Sequence, residues 1–393
     1  MPTQTTDIST NTASFAALVF QPGEDKWTVA KGVTVEYLSG GASGAGVLNV
    51  HNGGMLVNKG TIRSEVFFGV LFGAANDPED MTIKNKAAGT IVGTAGVVIG
   101  GTDSKNMTVE NKGLIEGTDG IGVQADDPSK FKLVNEGEIT GTDGGVSVFW
   151  ETGGPNGGAK IINEGLIHSP LYGISVGGDS PSQTTKIVNK KDGVIKGGLT
   201  EAAAETAVFS GTQAGAVDLT NKGKLKGSVI LTADAKDTVI NEGNIKGIVQ
   251  LRDGKDAYEN NGGKAGRVSP GDGNDKLKAG KSKDKFVFDV APDTDTNNDR
   301  IKKFESGKDK FFLKDNAFTS LTSPGIEGQS AALKTSEFRK SKKAKDDDDY
   351  IFYHKKSGAL YYDFNADGAG GKEQIAQLDP GQKLSASDFT VIA

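Results

Sequence analysis

The stretch Val109-Glu110-Asn111-Lys112-Gly113-Leu114-Ile115 decides the fold, because the chain keeps returning to it. The phrase is an apolar residue, any residue, Asn, Lys or Glu, Gly, any residue, then Ile or Leu. It recurs as Asn58-Lys59-Gly60-Thr61-Ile62, Asn135-Glu136-Gly137-Glu138-Ile139 and Asn163-Glu164-Gly165-Leu166-Ile167. Asn221-Lys222-Gly223-Lys224-Leu225 and Asn241-Glu242-Gly243-Asn244-Ile245 follow. Copies with two extra residues run from Asn85 to Ile91 and from Asn189 to Ile195, and a degenerate copy begins at Asn260. Successive asparagines are 27, 26, 24, 28, 26, 32, 20 and 19 residues apart. A second phrase, Gly-apolar-any-apolar, begins at Gly69, Gly96, Gly120, Gly145 and Gly173, each 9 to 11 residues after its asparagine.

Two phrases in register at this period mark a solenoid. Each apolar stretch is short and alternates with period two, which suits strands and not helices. A strand ending at Ile83, Val109, Leu133, Ile161, Ile187, Leu219 or Val239 leads into the asparagine. Asn-x-Gly turns the chain, Ile or Leu opens the next strand, and the Gly-apolar phrase supplies a third. The expected fold class is therefore all-β: a parallel β-helix whose coils rise by roughly 4.8 Å. About nine coils over 46–251 make a rod on the order of 40–45 Å long at that rise. Stacked Ile, Val and Leu fill its core, and the asparagine amides bond from coil to coil as a ladder. Residues 1–45, with Phe15 to Phe20 and Trp27 to Val35, are expected to cap the first coil or to exchange between subunits, because an open coil presents unpaired strands.

Composition supports this and excludes several alternatives. Glycine is 56 of 393 residues, about twice the usual share. There is no cysteine, which removes disulfides, thiolate zinc sites and a cysteine nucleophile. His51, His168 and His354 are too scattered for a histidine metal site. A net charge of −6 argues against a dedicated nucleic-acid partner. No apolar run is long enough to span a membrane, and residues 1–7 lack the basic and apolar regions of a cleaved signal peptide.

Beyond Asn221 the step shortens, and the turns become acidic. Asp253-Gly254-Lys255-Asp256-Ala257-Tyr258 is followed 19 residues later by Asp272-Gly273-Asn274-Asp275-Lys276-Leu277. Nine residues on comes Ser282-Lys283-Asp284-Lys285-Phe286. Gly271 to Leu277 fits the glycine-rich nonapeptide G-x-G-x-D-x-apolar of calcium-binding β-rolls. Here the chain resembles the RTX (repeats-in-toxin) family of secreted proteins. The resemblance covers about 252–393. It continues through Asp284-Lys285-Phe286-Val287-Phe288, Asp299 to Phe304, Gly307 to Leu313, Tyr350 to Tyr353, Gly358 to Asp363, Gln374 to Leu378 and Ala386 to Ile392, which resemble the terminal domain of serralysin-like proteins.

The resemblance implies a short calcium β-roll with a C-terminal β cap, one or two calcium ions between successive turns, and export by a type I machinery using an uncleaved C-terminal signal. The implied ligands are Asp253, Gly254, Asp256, Gly271, Asp272, Gly273, Asp275 and Asp284. Glycines let carbonyls turn toward the ion and aspartates supply hard oxygens. The chain departs from the pattern at Pro270, at Ser282 and at Gly266-Arg267-Val268, which lacks the aspartate. Asp363, Asn365 and Asp367 begin an EF-hand-like loop, but its twelfth place is Gln374, so the bidentate ligand is missing. Arg339 to Asp349 reads as a solvated hairpin tip.

No catalytic constellation is legible. H-E-x-x-H, G-x-S-x-G and the phosphate loop are absent. Tyr172-Gly173 is not followed by the acidic-His phrase of calcium-dependent alginate epimerases. Thr102-Asp103, Thr118-Asp119 and Thr142-Asp143 recur as a row of turn carboxylates. Phe149, Trp150 and Tyr172 are aromatic residues that either pack at the solenoid edge or stack on a sugar. The expectation is a non-enzymatic, extracellular, self-associating structural or adhesive protein of a Gram-negative cell surface, biofilm matrix, surface layer or filament. A cell-surface polysaccharide is the candidate partner. A polysaccharide lyase or epimerase is the alternative. An autotransporter-like passenger is disfavoured, because the C-terminus shows no outer-membrane barrel strands.

Overall fold

Alternating burial along short strands produces a parallel β-helix, described here from a computed structural model. It describes residues 2–10, 16–21, 26–38, 44–49, 53–73, 80–101, 106–125, 130–150, 157–179, 182–198, 205–322 and 330–393. Among them there is no α-helix, and no helix is long and apolar enough to cross a membrane. The chain divides into two units, 1–233 and 234–393. The boundary read from the sequence, between 251 and 252, lies one coil later.

In the first unit each coil contributes three strands that pair in parallel with their counterparts one coil on. Met107–Asn111 lies between Thr82–Asn85 and Lys130–Asn135, with Asn85, Asn111 and Asn135 in register. Inward positions form apolar columns. Ile62, Ile91, Ile115, Ile139, Ile167, Ile195 and Leu225 are all fully buried. Leu56, Ile83, Val109, Leu133, Ile161 and Ile187 form a second column, and Val70, Val97, Ile121, Val146, Ile174 and Val208 a third. Each such side chain contributes about 1.5–3 kcal/mol when removed from water.

The asparagines form the expected ladder. Each amide donates to the next: Asn58 to Asn85, Asn85 to Asn111, Asn111 to Asn135, Asn135 to Asn163, Asn163 to Asn189 and Asn189 to Asn221, all at 2.8–2.9 Å. The glycine two residues later allows the coils to approach. A Cβ on Gly137 would sit 2.2 Å from the carbonyl oxygen of Gly113.

Two features differ from the sequence reading. The described residues before 46 continue the coil. Ile8–Thr10 pairs with Thr34–Tyr37, which pairs with Thr61–Ser64; Ala16–Val19 pairs with Ala45–Asn49. The pattern is hidden there because these coils lack the Asn-x-Gly phrase. Leu114–Ala125 and Glu138–Trp150 each run through two of the expected strands, bending at a register shift between Gly117 and Asp119.

The second unit begins with the same coil. Thr238–Asn241, Ala257–Asn260, Lys276–Lys278 and Asp299–Lys302 pair in parallel. Asp299–Lys302 then pairs with Lys372–Leu378, which opens an antiparallel meander with Ala359–Asp363 and Ile351–His354. Phenylalanines fill this end of the core. Phe311 stacks on Phe304 at 4.4 Å and on Phe389 at 5.0 Å between ring centroids. The 339–349 segment is neither a hairpin tip nor simply solvated: Phe338–Arg339 and Ile351–His354 on either side of it pair in parallel, and Asp349 is buried and pairs with Arg339 at 2.7 Å.

Candidate functional site

The acidic turns of the second unit build a column of buried carboxylates. Asp237, Asp256, Asp275 and Asp299 are each at most 1 % exposed. Each starts a strand of the pattern Asp-any-apolar, so the aspartate and the apolar residue point inward and the residue between them points out. The backbone N–H of Asp237 donates to Oδ1 of Asp256 at 2.7 Å. Asp256 N–H donates in the same way to Asp275 at 2.7 Å, and Asp275 N–H to Asp299 at 3.0 Å. One oxygen of Asp256, Asp275 and Asp299 is thus used coil to coil. The other, Oδ2, of Asp256, Asp275 and Asp299 is buried with no hydrogen-bond partner.

Leaving such atoms unpaired is costly, and the protonation equilibria reflect it. Burial pushes the Asp256 carboxyl up to about 9, opposed by the N–H of Asp237 and reinforced by the charges of Asp237, Asp275 and Asp234. Burial moves Asp275 to about 7, with Asp272 adding to the shift. Asp299 is driven well above the ordinary carboxylate range by burial and by Asp275.

The glycines beside the column turn carbonyls toward the next coil. Gly273 has φ +131°, and a Cβ there would lie 1.8 Å from the carbonyl oxygen of Gly254. A Cβ on Gly271, at φ +92°, would lie 2.0 Å from the carbonyl oxygen of Arg252. Asp253 and Asp272 are bridged in parallel register at the exposed rim. Partial burial, Asp253 and Asp289 raise the Asp272 carboxyl. The structure therefore brings together Asp253, Gly254, Asp256, Gly271, Asp272, Gly273 and Asp275.

No group of three or more His, Asp or Glu side chains converges among the described residues. A cation here would draw on two stacked carboxylates and on carbonyl oxygens. The residues present fit a hard oxygen-seeking ion, because buried carboxylate oxygens lack donors and the glycines leave carbonyls unshielded.

Asp284 stands elsewhere. It succeeds Asn260 in the asparagine column, accepting from the Asn260 amide at 2.5 Å and from Gly280 N–H at 2.7 Å. Its own N–H donates to Asp309 at 3.0 Å. Both of its oxygens are held by protein donors, which gives it a structural place. In the EF-hand-like loop, Asp363 and Asn365 adjoin: Asn365 N–H donates to Asp363 at 3.3 Å, and Asn365 Oδ1 is buried without a partner. Asp367 is exposed, and the Gln374 amide is turned to Asn298.

Sequence reasoning missed Asp237 and Asp299 as members of the column. Asp237-Thr238-Val239 lies 19 residues before Asp256, a usable signal outside the glycine-rich phrase. Asp299 is obscured because the step to it is 24 residues.

In the first unit the predicted carboxylate row is only partly described. Thr102-Asp103 and His51 lie outside the described residues. Asp119 accepts from Ser147 Oγ at 2.6 Å, and Ser175 donates to Ser147 at 3.1 Å. Burial raises the Asp119 carboxyl, Ser147 lowers it and Asp143 raises it further. Tyr172 stacks on Phe209 at 4.8 Å, and Phe149 is 46 % exposed. Trp150 belongs to the core. Compared with known proteins, the chain matches no family model, no curated sequence and no solved structure.

Proposed function

We propose that this chain is an extracellular, calcium-dependent β-solenoid with a structural or adhesive role at a bacterial surface or in its matrix, related to RTX proteins and exported by a type I machinery. The observation that carries the reading is the column of buried aspartates whose second oxygens lack a donor. Successive pairs in the column, Asp256 with Asp275 or Asp275 with Asp299, together with the carbonyls beside Gly271 and Gly273, are the residues that would hold calcium. The ion would supply the positive charge that lets stacked carboxylates stay ionised.

At low cytosolic calcium the column must take up protons or repel itself, which disfavours folding before export. Outside the cell, millimolar calcium favours the folded state by linkage. The test is a thermal melt with calcium and with a chelator, combined with hydrogen exchange. Chelation is expected to lower the melting temperature and to deprotect residues 234–393 selectively. An unchanged melt with no calcium bound by calorimetry overturns the reading. Self-association is tested by negative-stain microscopy, where filaments or sheets only in calcium are expected.

A second reading, a polysaccharide lyase or epimerase, is favoured by one observation. Asp119, with its raised carboxyl, shares a face with Ser147, Ser175 and the Tyr172–Phe209 stack. New unsaturated ends from alginate or pectate, lost in Asp119→Asn, would establish it; their absence removes it.

A further inference from the structure

We propose that the outward face of the aspartate-bearing strands is a docking groove for a carboxylated polysaccharide. The strands that carry the column alternate inward and outward, so every inward aspartate places a neighbour on the surface. Beside Asp237 and Asp256 those neighbours are Thr238 and Ala257; beside Asp275 and Asp299 they are basic. Lys276 and Arg300 are in register, as are Lys278 and Lys302. With Lys303 and Glu259 they line a recess of about 590 Å³. Lys276, Arg300, Lys302 and Lys303 are exposed, and among the described residues no salt bridge engages them.

The arrangement runs against the needs of the fold. Like charges placed directly opposite destabilise a sheet. Several neighbouring coils elsewhere pair opposite signs, as in Lys84–Glu110, Lys112–Glu136 and Lys190–Glu164, while a single lysine column stacks at Lys132, Lys160 and Lys186. In the groove two cationic columns stand side by side, about 4.8 Å apart between coils and roughly 6.7 Å apart along the strand. The nearby acids are few. Glu259 binds Lys278 at 2.9 Å, and Asp379 accepts from the backbone N–H of Lys303.

Glu259 shows what the groove favours. Lys278, with Asn261 and Lys302 in support, holds this carboxyl below the ordinary range. A carboxylate is therefore the anion already accommodated here, one coil before the positions that have none. A chain of uronate-like sugars would present further carboxylates at intervals of about one sugar, on the scale of the coil rise. No aromatic side chain lines the groove, so nucleic-acid bases have nothing to stack on.

This deepens the adhesive reading and rests on it for the class of partner, not for the calcium site. The test measures binding of the full chain to carboxymethyl-dextran, with unmodified dextran and duplex DNA as comparisons, in calcium and in chelator. Wild type is expected to bind carboxymethyl-dextran with an affinity that falls as salt rises, and to ignore dextran. Each exposed contact is worth about twofold to fivefold. Lys276→Gln with Arg300→Gln should therefore weaken binding about tenfold. Adding Lys278→Gln and Lys302→Gln should bring the loss to on the order of a hundredfold.

Lys276→Arg with Lys302→Arg should retain binding. Lys132→Gln with Lys160→Gln, a lysine pair in register in the first unit, should leave it unchanged. Equal loss in that control pair, DNA binding as tight as that of carboxymethyl-dextran, or no binding by wild type overturns the proposal. A normal calcium-dependent melt alongside failed binding overturns the groove alone. Failure of the melt with binding intact overturns the calcium reading alone.

Discussion

Replacing Asp275 by Asn should move the two states of the second unit in opposite directions. In the absence of calcium, Asp275 is a buried carboxyl raised from 3.8 to about 7. Above both values its ionised form carries a cost of up to about 4 kcal/mol, at 1.36 kcal/mol per pKa unit. Asparagine keeps the Oδ1 acceptor that the Asp256 N–H uses at 2.7 Å, and removes the charge. It also buries an amide NH₂ where Oδ2 lacks a partner, which costs about 1–3 kcal/mol. The net expectation in chelator at pH 8 is a gain of about 1–3 kcal/mol. For a unit of this size that is a rise of roughly 3–10 °C in melting temperature. With calcium present the variant lacks an anionic ligand, so the calcium-induced rise should shrink sharply. Circular dichroism melts of both proteins, each in chelator and in millimolar calcium at pH 8, read the four values. A variant that melts lower in chelator and keeps the full calcium increment refutes the argument that this carboxylate is costly alone and useful with the ion.

Other outcomes follow from the same geometry. In chelator the folded values of Asp256, Asp275 and Asp299 lie above the unfolded one, so the folded state holds more protons. Their stabilising effect is complete below about pH 4 and is lost as pH rises toward about 9; the melting temperature should fall between pH 5 and pH 8.5, and a flat profile would count against the column. Calcium should reverse that trend, because the ion displaces protons. Asn135→Ala removes donors to Asn163, Gly137 and Leu166 and takes from the Asn111 amide one of its three acceptors, for a loss of about 3 kcal/mol by urea denaturation; a loss below half of that would mean the ladder is not cooperative. Gly137→Ala forces a Cβ against the Gly113 carbonyl and should cost at least about 2 kcal/mol; an unchanged melt would show that the coils can separate freely. Lys112→Ala breaks only an exposed pair with Glu136 and should leave the urea midpoint where it is.

The asparagine ladder was legible because stacking repeats the same environment at every coil, and the sequence repeats with it. Asn111 and Asn135 occupy equivalent sites, so the same residue satisfies both. The two N-terminal coils escaped because their turns use other residues, and only pairing with Thr61–Ser64 and Met55–Asn58 reveals them. Asp253 to Asp275 were legible as a pair from one 19-residue step. Asp284 shares their spacing and not their surroundings. Its nine-residue offset places it half a coil away, beneath Asn260, where protein donors hold it.

The sequence by itself determined the coil, its three apolar columns, the asparagine ladder and the acidic turns, because each is a local pattern repeated at the period of stacking. Tertiary structure alone decided which aspartates share a column, which oxygens are left without donors, and that the outward residues of the strands at Asp275 and Asp299 form a basic face. Those properties depend on what lies one coil above and below. Insertions such as the 24-residue step to Asp299 change that neighbour without changing any local phrase.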